Sequence, residues 1–201
     1  MKYLKLPSLI KGWFNPEAHL PSLLRDFQQS GKAAVLSPLV EELNQPIFHY
    51  LLSLSDQELA KDCLQQTWLK VLQIRSGNNA DKLNSFNDKA QIKAWLFTIA
   101  RNTLIDEMRR NSRWQAEQWH DDKAHSGKPA EQTIIEQDRL TLLNSAIASL
   151  PILQREAFIF QQEGLSLSEI AQVTNAEHET VKSRLRYARR TIAQTLRAED
   201  E

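Results

Sequence analysis

A single cysteine, Cys63, occurs in the 201 residues, so no disulfide can form within the chain. It has no partner at metal-ligand spacing, and the five histidines are scattered, so no metal site is indicated. Five glycines are few, and they build no glycine-rich phosphate loop. Neither paired carboxylates nor a Ser/His/Asp set gathers around a recognisable loop, which leaves an enzyme as the least supported class and calls for no cofactor. No run is long and apolar enough to span a bilayer. The basic start, MKYLKLPSLIKGWF, is interrupted by Pro7 and Lys11 and lacks a small-residue cleavage site, so it reads as a poor signal peptide. A reducing cytoplasm is the expected location. An excess of one charge is also missing: 25 Lys and Arg balance 25 Asp and Glu.

What is present is helix-forming composition. Leu, Ala, Gln, Glu, Lys and Arg dominate, which points to an all-α chain of two small helical domains. The neutral total hides patches. Glu41, Glu42, Asp56, Glu58 and Asp62 face only Lys61, whereas Lys93–Arg113 and Lys182–Arg197 are net basic. Patches rather than totals govern local binding.

Apolar periodicity divides the chain. Residues 1–21 form an N-terminal extension broken by Pro7, Gly12, Pro16 and Pro21. A helical pattern runs from Ser22 to about Leu54, broken near Gly31 and kinked or divided at Pro46. Ser55 followed by Glu58 reads as a capping box for a helix through about Ile74. Its apolar positions include Leu59, Cys63, Leu64, Leu69 and Leu72. Residues 75–90 are polar and read as a loop. Ile92 to about Arg113 forms a long helix with Ile92, Trp95, Leu96, Ile99, Ala100, Leu104 and Met108 as its buried stripe; that register makes Trp95 core rather than a stacking platform. The first domain is thus 22–113. Residues 114–135 lose periodicity and read as a flexible linker. The second domain, 136–197, holds a helix from Ile135 to Ser149, a helix that Pro151 starts and Gly164 ends, and then a helical pair.

That pair, Gly164 to Ile192, carries the clearest signal. Ser166 caps the first helix, with Glu169 completing a capping box. Asn175 stands where a left-handed residue is needed. Val181 and Leu185 turn inward, and Lys182, Arg184, Arg186, Arg189 and Arg190 crowd the second helix. This is the layout of a helix-turn-helix entering a major groove.

Three motifs resemble one known family, the bacterial RNA polymerase sigma factors of the extracytoplasmic-function (ECF) group, which consist of sigma region 2 and sigma region 4 on a linker. They are AKDCLQQTWLKVLQ from Ala60, IKAWLFTIARNTLIDEMRR from Ile92, and SLPILQREAFIFQQEGLSLSEIAQVTNAEHETVKSRLRYARRTI from Ser149. The resemblance covers roughly residues 22–195. Two departures stand out: Gln66 replaces the usual Glu, and Asn175 to His178 replace the usual turn.

The resemblance implies a dissociable specificity subunit that docks on the β′ and β subunits of core polymerase. The docking residues it implies are Asp62, Gln65, Gln66, Leu69 and Lys70. For the melted −10 strand it implies cations at Arg101, Arg109 and Arg110 with Asn102, and a base-reading loop of Asn78, Asn79, Asn84, Ser85 and Asn87. For the duplex −35 element it implies Ser166, His178, Glu179, Thr180, Lys182, Ser183, Arg184, Arg186, Arg189 and Arg190. Promoter DNA, duplex and melted, and an anti-sigma factor are the further partners it implies. The competing reading is a stand-alone helix-turn-helix regulator that never joins polymerase.

Overall fold

A computed structural model describes residues 20–74, 85–110 and 136–198, with the backbone alone for 136–141 and 198. Residues 1–19 of the expected extension and the expected linker at 114–135 lie outside the described residues; the extension's last two residues, Leu20 and Pro21, instead form the buried start of α1, where a proline in the first turn has no helical N–H to lose. Among those described there are eight α-helices and no strand: α1 (Leu20–Ser30), α2 (Ser37–Leu54), α3 (Gln57–Gln73), α4 (Lys89–Arg110), α5 (Glu136–Ala148), α6 (Ile152–Gln162), α7 (Leu167–Thr174) and α8 (His178–Ala198). The all-α expectation holds.

Local chemistry sets most boundaries. Gly31 takes a φ of 69°, and a short 3-10 turn, Ala33–Leu36, follows before α2, so the break near Gly31 is wider than the periodicity implied. Pro46 does not divide α2, which runs unbroken through it. The carbonyl one turn earlier belongs to Glu42, whose exposed position lets water replace the missing N–H. Leu43 and Ile47, both buried, hold the two sides in line.

The start of α3 differs from the expected box. Ser55 donates its hydroxyl to the Leu51 carbonyl at 2.8 Å and so closes α2. Asp56, in extended backbone, is the cap, its carboxylate accepting the Leu59 N–H at 2.9 Å. Similarly, Asp88 opens α4 three residues earlier than its apolar stripe suggests, accepting from the Gln91 N–H at 2.8 Å. The buried stripe of α3 is Ala60, Cys63, Thr67 and Val71, while Leu69 and Leu72 are exposed. Thr67 satisfies its hydroxyl on the Cys63 carbonyl at 2.7 Å.

The two expected domains share one core. A continuous buried cluster runs from Leu20 and Leu24 through Tyr50, Leu96 and Phe97 to Phe160, Ile170 and Leu185. Helix α4 lies in its middle, packed against α2 and α3 on one side and α7 on the other. A helix held on several sides buries more than one stripe, and Ala94, Phe97 and Thr103 are buried along with the expected positions other than Ile99, which is half-buried. A smaller cluster of Ala146, Leu150, Ala188 and Ile192 fastens α5 to α8.

Candidate functional site

The C-terminal helical pair is built as its sequence dictates. The Ser166 hydroxyl accepts the Glu169 N–H at 3.3 Å, and the Glu169 carboxylate accepts the Ser166 N–H at 2.7 Å. Asn175 takes φ 51° and ψ 47°, the left-handed conformation that turns the chain out of α7. The Glu177 carbonyl accepts the Val181 N–H at 3.1 Å, so Glu177 holds the N-cap position of α8 despite its unsuitable side chain. Val181, Leu185, Ala188 and Ile192 are buried at helical spacing.

The opposite face of α8 is therefore aimed at solvent. His178, Glu179, Lys182, Arg186, Arg189 and Arg190 are exposed, and Thr180 and Ser183 are half-buried. Lys182 reaches back to Glu179 at 2.7 Å, which holds that carboxyl below its ordinary pKa. Arg189 donates to the Gln161 amide oxygen at 2.7 Å. Arg184 is half-buried and its Nε has no partner among the described residues. Sequence reading missed Tyr187, 48% exposed, which lies beside Arg186 with the guanidinium 5.2 Å from the ring centre. This stripe offers cations to a polyanion and an aromatic edge to base methyl groups.

Helix α3 presents a second surface. Asp62, Gln65, Gln66 and Leu69 are exposed together, and Leu72 extends the patch. Lys70 is turned aside, donating to the Thr103 hydroxyl at 2.9 Å. Two exposed leucines beside a carboxylate and two amides make a face suited to a helical partner.

Helix α4 carries a third. Asn78, Asn79 and Asn84 fall outside the described residues. Ser85 and Asn87 are exposed, and between them Phe86 is buried against Trp95 with ring centres 5.1 Å apart. Trp95 is core, as its register implied. Asn102 is exposed; Arg109 and Arg110 are 76% and 72% exposed and lie near Asp106 and Glu107 of their own helix.

Arg101 does not join them. Its side chain is 12% exposed and turned toward α6, donating from Nε to the fully buried Glu156 at 2.8 Å. The Tyr50 hydroxyl donates to the same carboxylate oxygen at 2.7 Å. Burial opposes the Arg101 charge, but the adjacent Glu156 carboxylate more than offsets it, and the guanidinium pKa lies above its ordinary value. Burial, followed by the Glu156 charge, drives the Tyr50 phenol well above its own. Around this triad the Tyr50 ring stacks on Phe160 at 4.6 Å and meets Phe97 edge-on at 5.6 Å. Lys93 pairs with Glu163 at 3.0 Å, and Arg155 donates to the Ser53 carbonyl at 2.8 Å. Sequence spacing offers no signal for these contacts, because their partners lie 47 to 110 positions apart.

Among the described residues, no three His, Cys, Asp or Glu side chains gather to hold a metal, and no helix is long and apolar enough to cross a membrane.

Residues 39–113 match the Sigma-70 region 2 family and residues 140–192 match Sigma-70 region 4. The chain is 34% identical over 178 residues to the ECF RNA polymerase sigma factor SigL of Mycobacterium tuberculosis, covering 83% of this chain and 92% of SigL. It is 26% identical over 163 residues to the RNA polymerase sigma factor SigZ of Bacillus subtilis, covering 80% of this chain and 86% of that one. In structure it is similar to the sigma factor RpoE of Bartonella quintana, solved in complex with the anti-sigma factor NepR. There the TM-score is 0.58 and the identity 26%, with 86% of this chain and 98% of RpoE covered.

Proposed function

The chain belongs to the extracytoplasmic-function sigma factors, and from that membership we propose that it directs core RNA polymerase to promoters through three surfaces. Residues 22–113 act as the polymerase-docking and −10 unit, and residues 136–197 as the −35 unit. The observation that carries this reading is one chain bearing an exposed Leu69 and Leu72 patch on α3 and an exposed cationic stripe on α8. A stand-alone regulator needs only the stripe, so the match of residues 39–113 to region 2 disfavours that reading.

Each surface has a physical task. The α3 patch, with Asp62, Gln65 and Gln66 around Leu69, docks on the β′ and β subunits. The N-terminal half of α8 enters the −35 major groove. There Arg186 and Tyr187 face base edges, and Lys182 and Arg190 face phosphate. The exposed end of α4, with Asn102, Arg109 and Arg110, holds the backbone of the melted −10 strand. Asn78, Asn79, Asn84, Ser85 and Asn87 read its unstacked bases. Each DNA contact is weak alone, and the tether multiplies them through effective concentration. That suits a neutral protein with local basic patches. An anti-sigma factor that covers these surfaces is the regulatory partner, as NepR is found with RpoE.

Two measurements test the reading. The purified chain mixed with core polymerase elutes as a stoichiometric complex at modest salt, and Leu69→Asp abolishes that complex while leaving the helical content intact. A monomeric elution of the folded wild-type chain would hand the function to the stand-alone regulator. Arg186→Glu weakens binding to duplex −35 DNA by about 10- to 100-fold, the scale of one lost base contact. Unchanged binding would remove α8 from its role.

A further inference from the structure

The cations of α8 are held in unequal ways. Lys182 is tied to Glu179 and Arg189 to Gln161, both through polar contacts within the fold. Arg186 is held differently: its guanidinium lies over the ring of Tyr187, 5.2 Å from the centre. Tyr187 joins neither apolar cluster, and at 48% it is the most exposed large apolar side chain among the described residues. Successive residues of a helix stand about 100° apart. Val181, Leu185, Ala188 and Ile192 fix the inward face of α8, so Ser183, Arg186, Tyr187 and Arg190 surround the direction opposite to it. A planar guanidinium stacked on a ring is pre-organised, and less freedom is lost when its fork forms two hydrogen bonds.

Base-pair geometry says what such a pair can read. In the major groove a guanidinium bonds bidentately to the O6 and N7 of guanine. With the fork in the plane of that pair, a ring centre 5.2 Å away falls on the adjacent pair, at about 3.4 Å per step. The apolar group that a major groove offers there is the 5-methyl of thymine. The ring itself satisfies neither a cytosine amino group nor a purine N7.

We propose that Arg186 and Tyr187 act as one stacked reader, Arg186 bonding to a guanine while the Tyr187 ring packs on the 5-methyl group of a thymine in the next base pair. This rests on the reading of α8 as the −35 helix, and it names the base step that the helix selects. Tyr187 is thereby a specificity determinant twice over, through its own contact and by lowering the ordering cost of the guanine contact. Because the methyl group is what the ring meets, 5-methylcytosine is accepted there where cytosine is not.

The test selects bound duplexes from a fully randomised pool with the full-length chain, alone and assembled with core polymerase, and then measures affinity for the enriched duplex by anisotropy. The enriched duplexes share a guanine with a thymine in the adjacent pair. Replacing that thymine by uracil, which removes only the methyl group, lowers affinity about fourfold, the worth of one buried methyl-sized group. At the same place 5-methylcytosine binds about fourfold tighter than cytosine. Tyr187→Ala, at an exposed helical position, keeps the helical content and erases both differences, whereas Tyr187→Phe preserves them. Arg186→Ala costs about tenfold and abolishes the preference for guanine. Enriched duplexes without the guanine–thymine step would overturn the proposal. So would equal affinity for thymine and uracil in the parent, or a methyl effect that survives Tyr187→Ala. A loss in Tyr187→Phe that is uniform across sequences would also overturn it, since that makes the hydroxyl a phosphate contact. Should the chain fail to assemble with core polymerase, the sigma reading falls, while selection on the chain alone still decides the base assignment.

Discussion

The arginines of α8 and the first arginine of α4 have the same chemistry in opposite surroundings. On α8 the Lys182–Glu179 pair is 48% and 79% exposed, and water weakens it to little net worth. On α4 the Arg101–Glu156 pair is 12% and 0% exposed, and neither partner could be left alone without a large penalty. The exposed cations remain available to a polyanion; the buried one is already spoken for. A count of positive charges treats them alike. Availability is decided by burial.

That contrast can be broken where α6 meets α4. Phe160→Ala removes the ring that stacks on Tyr50 and borders Phe97, and is expected to cost about 3–5 kcal/mol in urea denaturation, the range for a fully buried Phe. A cost under about 1 kcal/mol would mean that these rings are not packed together in solution. Ser166→Ala tests the other side. It deletes the box that starts α7 and is expected to cost about 1 kcal/mol, read as a lowered thermal midpoint. No shift would mean that packing of Ile170 and Val173 alone holds α7.

An effect of similar size concerns Cys63. Burial, then the nearby Glu107 and Asp62 charges, push its thiol from 9.0 up to about 11. Because the folded chain holds this proton more tightly than the unfolded one, the associated stability is intact below 9. It is lost as pH rises through 9 towards 11. Equilibrium unfolding at pH 8 and pH 10 measures this, and Cys63→Ala should flatten the difference. An equal slope in that variant would assign the loss to other groups, Tyr50 first among them.

Much of the C-terminal unit was legible because its determinants are adjacent in sequence. A Ser three places before a Glu, an Asn at the turn and inward residues four apart specify α7, the turn and α8 with little help from elsewhere. The α3 start was misread for an equally local reason. Ser55 and Asp56 are neighbouring candidate caps, and the choice fell to which hydroxyl the end of α2 consumed. Leu69 and Leu72 fit a periodic apolar pattern, yet Thr67 is buried and they are not. Hydrophobicity did not reveal which face of α3 meets α2 and α4.

Helix type, the Ser166–Glu169 cap, the left-handed turn and the basic face of α8 were determined by the sequence alone, since each depends on residues within one or two turns. The tertiary structure alone decided that Pro46 is carried inside α2, that Phe97 is core, and that Arg101 faces Glu156. The last two depend on side chains brought together from 47 to 63 positions away, where burial converts an ordinary charge into a paired one.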